Sequence, residues 1–311
     1  MTDEERNIAG RRQLTFYLAN QYPMWRVVLV KSIKKILENL DGFYSPIFDE
    51  LKRYDEEKQS DTVNGEIRNG LFFEALSQSV QAVEDLFSMM KYSGDIPFFA
   101  KNVVTYNASK VTRYIRGFDT ANTEFLLQQF QVPYLSLNEP WEDTDVFDKY
   151  VEAVQLICEY MDALIEHHRT YYFHYCQYKH GMAVALRPFG GSARHGDDIL
   201  EGVVMTFDNV KFTKRIHTTL PAMMIPDFHT DISKHITALH EEDNLLRAEM
   251  KVVNLNLFVG IVEKAYTLLS VLHHNLKMRC EPLKEDNVAE IAFPTRDYKK
   301  LMIMGFPTKD S

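Results

Sequence analysis

The chain has 311 residues, 45% of them hydrophobic, with 13 glycines and 11 prolines. That is enough apolar material for a sizeable core and excludes a disordered chain. Its 44 acidic against 35 basic residues leave a formal charge of −9, which argues against a protein that coats nucleic acid along its whole surface.

The opening MTDEERNIAGRRQ lacks the apolar stretch of a signal peptide, and no run of eighteen apolar residues follows. A soluble, cytoplasmic protein with no membrane contact is expected. Cys158, Cys176 and Cys280 are far apart and in no CxxC spacing, so buried thiols in a reducing compartment are expected rather than disulfides.

Leu29, Ile33, Ile36, Leu37 and Leu40 recur at three- and four-residue steps, which predicts a helix stopped by Asp41-Gly42. Ser45 and Pro46 then read as the cap and first position of the next helix. The apolar-free run from Asp55 to Asp61 is a candidate linker.

From Gly65 a stripe of Phe72, Leu76, Val80, Val83, Phe87 and Met90 predicts a second helical unit ending near Ser93-Gly94. Shorter helices are expected over Ala108–Phe118 and Ala121–Phe130. The longest pattern runs from Asp143 to about Tyr178, where Phe147, Val151, Val154, Cys158, Met161 and Ile165 mark one helix of many turns, with Gly181 placed to end it.

Beyond Gly181 the period changes. GVVMTF and VKFTKRI flank Asp208-Asn209 and predict a β-hairpin. A helix is expected from about Ser233 to Leu276 on the spacing of Leu246, Met250, Val253, Leu257 and Ile261. NVAEIAF and KLMIMGF are expected as two late strands. The predicted fold is mainly α, an antiparallel helical bundle with a small C-terminal β portion. Three parts are expected: an N-terminal helical segment over 1–61, the bundle over 62–187, and a hairpin, long helix and late strands over 188–311.

The end of the longest helix carries the densest chemistry. His167 to Met182 reads HHRTYYFHYCQYKHGM, and the 29 residues from His167 to His195 hold five histidines and four Arg/Lys with no Asp or Glu. Arg169 and His174 are roughly 140° apart on an ideal helix, so a shared site would need a helix break or a second protomer. Tyr171, Tyr172, Tyr175 and Tyr178 are suited to stack on unpaired bases, and Lys179, Arg187 and Arg194 to pair with phosphates. The same residues also read as helix-end packing with cations set against the helix dipole.

The pairing of NGLFFEALSQSVQAVEDLFSMMK with a later helix ending YCQYKHG resembles the HEPN family, the higher eukaryote and prokaryote nucleotide-binding helical bundles, over roughly residues 64–187. The resemblance implies a dimeric bundle that binds RNA or a nucleotide, in some members a metal-independent RNase of defence or toxin systems. It also implies an arginine followed after four to six residues by a histidine. Arg169 to His174 has that spacing, whereas the KHG ending assigns the terminal histidine to His180, which has no arginine four to six residues before it; only one of the two registers can be right. In such a site a histidine would move the 2′-hydroxyl proton and the arginine would stabilise the phosphorane.

No cofactor is expected, and no metal. His229, Asp231, His235 and His240 have a partial facial-triad spacing, but Asp231 or Ser233 reads better as a helix cap. RPFGGSARHG lacks the lysine-Ser/Thr ending of a P-loop. The expected function is therefore binding of RNA or a nucleotide at the helix end. The rivals are a non-catalytic dimeric module with a protein partner and a His/Asp metalloenzyme. Acidic neighbours such as Glu159, Asp162 and Glu166 would weaken the first reading by neutralising the cations.

Overall fold

The computed structural model describes residues 2–51, 60–134, 144–180, 184–186, 200–211, 240, 243–280 and 288–307. The described chain is mainly helical, with small antiparallel strand pairs, as its apolar periodicities predict. Helix α1 (Asp3–Asn20) starts in a reciprocal cap: the Thr2 hydroxyl accepts from the Glu5 amide, and the Glu5 carboxylate accepts from the Thr2 amide. Then follow α2 (Trp25–Glu38), α3 (Leu40–Leu51) and α4 (Ser60–Ser93). A 3-10 turn over Ile96–Phe98 leads into α5 (Phe99–Val104). Asn107 and Asn122 cap α6 (Ala108–Arg116) and α7 (Thr123–Gln129) through their side-chain oxygens.

Helix α8 (Thr144–His180) is the predicted long helix. After it come β1 (Val184–Ala185), β2 (Glu201–Lys211), β3 (Asn244–Asn254), α9 (Leu255–Cys280), β4 (Val288–Pro294) and β5 (Leu301–Pro307). One sheet has the order β1-β2-β3 and the other pairs β4 with β5, all antiparallel. The two late strands thus form where the sequence predicts them.

Four local expectations are corrected. Asp41-Gly42 does not stop a helix: α3 begins at Leu40, and Pro46 lies inside it rather than at its start. Asp208-Asn209 is not a turn. It continues β2, because Asp208 sits directly opposite Arg247 and accepts a hydrogen bond from its Nη2 at 3.0 Å.

Residues 244–254 form a strand, not helix. Leu246, Met250 and Val253 fit a helical period, but register with β2 along all of Glu201–Lys211 outweighs it. The helix starts only where the Asn254 side chain accepts from the Asn256 amide at 2.9 Å. Most of the candidate linker, at 55–59, lies outside the described residues.

The chain forms two compact units: Met1–Val30, Gln78–Thr170 and Val259–Ser311 make the first, Lys31–Ser77 and Tyr171–Phe258 the second. Each gathers segments remote in sequence. The first unit buries Leu14, Phe87, Ile115, Ile157, Leu272 and Phe293; the second buries Ile33, Phe72, Leu76, Val204 and Phe258.

In the first unit, buried Asn275 of α9 donates to the Phe130 and Ala292 carbonyls at 2.9 and 3.1 Å. It also accepts from the Ala292 amide at 2.7 Å. One side chain thereby fastens α9 to β4 and to the end of α7. Among the described residues α9 alone is long and apolar enough to cross a membrane, but 56% of its most apolar window is buried inside the protein. That window thus packs in large part against the protein's own core. The three cysteines are half-buried thiols.

Candidate functional site

The helix end that is acid-free in sequence is not acid-free in space. In the first unit, His167 and His168 are buried. His167 Nε2 lies 2.8 Å from the Ser79 hydroxyl, and His168 Nε2 lies 4.0 Å from Glu84. Burial, reinforced by the neighbouring His168, pushes the His167 pKa down to about 3, so its ring is neutral at pH 7. Arg169 is exposed and donates to the Glu166 carboxylate at 2.8 Å; Thr170 donates to the other oxygen of that carboxylate. Glu166 thus meets one of the cations as the charge argument anticipated.

In the second unit, His174 is buried, with Nδ1 3.0 Å from the Thr206 hydroxyl and Nε2 3.7 Å from Glu249. Burial lowers its pKa most; Glu249 opposes the shift and Lys251 assists it. Hydroxyl, imidazole and carboxylate stand in the order of a proton relay, yet Thr206 is wholly inaccessible to solvent. No substrate reaches that oxygen, and the line works as a buried polar tie.

The tyrosines are similarly placed. Tyr171 and Tyr175, expected to meet bases, are buried, and Tyr171 meets the Phe258 ring edge-on at 5.6 Å. Tyr172 is half-buried beside Tyr175. Tyr178 stacks on Phe73 at 5.4 Å and donates to Glu74 at 2.9 Å; burial and that carboxylate push its pKa up to about 12. Lys179 is exposed. His180 is the last residue of α8; its side chain, Arg187, Arg194 and the glycine loop lie outside the described residues.

His229, Asp231 and His235 also lie outside them, His240 is exposed, and no cluster able to hold a metal occurs among the described residues.

A recess of about 390 Å³ in the first unit offers a different site. Two edge-on aromatic pairs shape it: Tyr17 of α1 against Phe99 of α5 at 5.2 Å, and Tyr92 of α4 against Tyr106 at 6.2 Å. Trp25 stands on the wall at the start of α2, while Leu269 and His273 come from α9. The volume is in the range of small-molecule sites.

One ion pair sits in this wall. Arg26 Nε donates to Asp85 Oδ2 at 2.6 Å and Nη2 to Oδ1 at 3.4 Å, while Nη1 serves the side-chain oxygens of Gln78 and Gln81. The guanidinium carbon lies 4.5 Å from the centre of the Trp25 ring. Although 44% of the Asp85 side chain is open to solvent, the surrounding protein desolvates the carboxyl and raises its pKa; Arg26 draws it back and Glu84 lifts it further. Burial also raises the Tyr17 and Tyr106 pKa values, with Asp85 adding to the first and Glu84 to the second.

His273 has its pKa lowered by burial to about 4 and is neutral at pH 7. Its Nε2 and the Tyr92 hydroxyl are buried without a hydrogen-bond partner from the described protein.

Comparison with family models, curated proteins and solved structures returns no match to this chain. The HEPN likeness therefore rests on its motifs alone. Sequence reasoning missed the recess because its walls come from α1, α2, α4, α5 and α9, spread from Tyr17 to His273. The available signal was compositional: aromatic residues crowd the stretches 17–25 and 92–106, and a histidine pair interrupts an otherwise apolar helix.

Proposed function

We propose that the protein binds a small organic ligand in the aromatic recess of its first unit. The observation that carries this reading is one cavity of about 390 Å³ walled by Tyr17, Trp25, Tyr92, Phe99 and Tyr106, with the partly open Asp85 carboxylate among its lining. Concave, largely apolar sites with a few convergent polar groups are the usual form of ligand pockets. The reading is of binding rather than chemistry, since Asp85 is tied to Arg26. Ligand-detected NMR with a library of small aromatic and heteroaromatic fragments tests it. Hits should disappear in Val103→Trp, which fills the recess; no hits, or hits indifferent to that change, would dismiss the reading.

Binding of RNA at the end of α8 has weaker support. It draws on exposed Arg169 and Lys179, yet Arg169 is engaged by Glu166 and the histidines and tyrosines around it are largely turned to packing.

A second reading, self-association, is favoured by one observation in the second unit. Leu246, Ala248, Met250 and Val252 line one face of β3, and Leu246 and Met250 are 68% and 60% exposed. Among the described residues β3 is an edge strand, and an edge with an apolar face can pair with its own two-fold copy. Leu246→Lys with Met250→Lys should convert a dimer to a monomer in light scattering. A parent protein already monomeric at high concentration would dispose of this second reading.

A further inference from the structure

Resting on the recess as a ligand site, we infer that its ligand is a small organic cation, an ammonium group carried on an apolar or aromatic body. The charge balance of the wall points this way. Arg26 uses Nε, Nη1 and Nη2 on Asp85, Gln78 and Gln81, so little donor capacity is left for a phosphate or carboxylate. Asp85 keeps unused acceptor capacity, because each carboxylate oxygen can accept a second hydrogen bond and its side chain is partly open at the recess. Glu84 on the same helix adds a second negative charge whose influence reaches Tyr106. The charged side chains that line the recess, Arg26 and Asp85, balance each other, and Glu84, buried behind them, tips the local field to the negative side.

The aromatic geometry agrees with the charge. Ring faces attract cations through their quadrupoles, and tryptophan does so best. The recess already demonstrates the contact in its own wall, with the Arg26 guanidinium over Trp25. Tyr17 with Phe99 and Tyr92 with Tyr106 form two edge-on pairs, so rings of differing orientation line the recess. The neutral His273 adds no repulsion. A nucleotide is disfavoured at this site, since Arg26 has little donor capacity left for its phosphates.

The experiment uses the full chain and three probes: choline, its uncharged carbon isostere 3,3-dimethylbutan-1-ol, and adenosine. Binding is read by titration calorimetry and by tryptophan fluorescence. Choline should bind at least about fivefold more tightly than the isostere, as expected for a cation–π contact joined to a carboxylate. Tyr106→Leu, at the exposed rim, should weaken choline at least about threefold. Asp85→Asn should weaken it further while leaving the isostere unchanged, with circular dichroism verifying that both variants fold.

Equal affinity for choline and the isostere, both reduced by Tyr106→Leu, would overturn the cationic ligand and leave the recess standing as a ligand site. So would adenosine binding in preference to choline. Choline binding that ignores both substitutions would place the cation elsewhere and overturn the inference. Failure of all three probes, together with loss of every fragment hit, would remove the recess itself.

Discussion

Gly10 of α1 lies so close to Ile96 that a methyl group on its Cα would collide with the Ile96 carbonyl oxygen. The missing side chain lets α1 approach the 3-10 turn, and this contact holds Tyr17 and Phe99 on one wall of the recess. The Ile96 carbonyl is backbone and cannot swing aside as a flexible side chain would. Gly10→Ala should therefore destabilise the protein by about 1–3 kcal/mol despite the better helix propensity of alanine. It should also weaken ligand binding at the recess. Denaturant titration checks the first effect; a variant as stable as the parent, or more so, would contradict the close approach.

Asn275 makes three hydrogen bonds inside a core where water cannot replace them. Asn275→Ala leaves two carbonyls and one amide short of a partner, and a loss of about 2–4 kcal/mol is expected. Asn275→Asp should be no better, because an acceptor-only carboxylate cannot donate to Phe130 and Ala292. Equal thermal midpoints for parent and Asn275→Ala would show that this tie contributes little.

Acidification should destabilise the first unit through buried histidines. His167 and His273 have folded pKa values of about 3 and about 4, below the unfolded value near 6.5. Between these limits the unfolded chain binds more protons. The stability is therefore complete above pH 6.5 and falls with pH, by about 1.4 kcal/mol per unit per group, until the folded value is reached. Asp85, whose pKa is raised, acts in the opposite sense at the acid end. From pH 7.5 to 5.0 the net loss should be about 2–4 kcal/mol, and His273→Phe should remove roughly half of it. Stability independent of pH over that range would mean the histidines are not buried as described.

Neutralising the helix end should change RNA binding little. Arg169 already has Glu166 as a partner, so Arg169→Gln with Lys179→Gln and Arg187→Gln should hold affinity for single-stranded RNA within about threefold at both 50 and 200 mM salt. A loss of tenfold or more, with a flatter salt dependence, would restore this segment as an RNA surface. His174→Ala should lower stability rather than reveal chemistry, given the buried contact with Thr206.

What the sequence by itself determined is the local periodicity and what that periodicity demands. The stripes over Phe72–Met90 and Phe147–Ile165 are helices because their apolar residues recur at the helical repeat, and NVAEIAF and KLMIMGF are strands. Even the charge inversion from His167 to His195 is a true property of the chain. Its meaning was decided only in three dimensions. Glu74 and Glu249 come from other segments to meet Tyr178 and His174, and no local count of charge contains them.

Tertiary pairing likewise turned Asn244–Asn254 into strand, since backbone hydrogen bonds to β2 outweigh a spacing that suits either structure. The recess is the extreme case. Tyr17, Asp85 and His273 become neighbours only when three distant segments fold into one unit, and long-range packing leaves no periodic trace in the segments it joins.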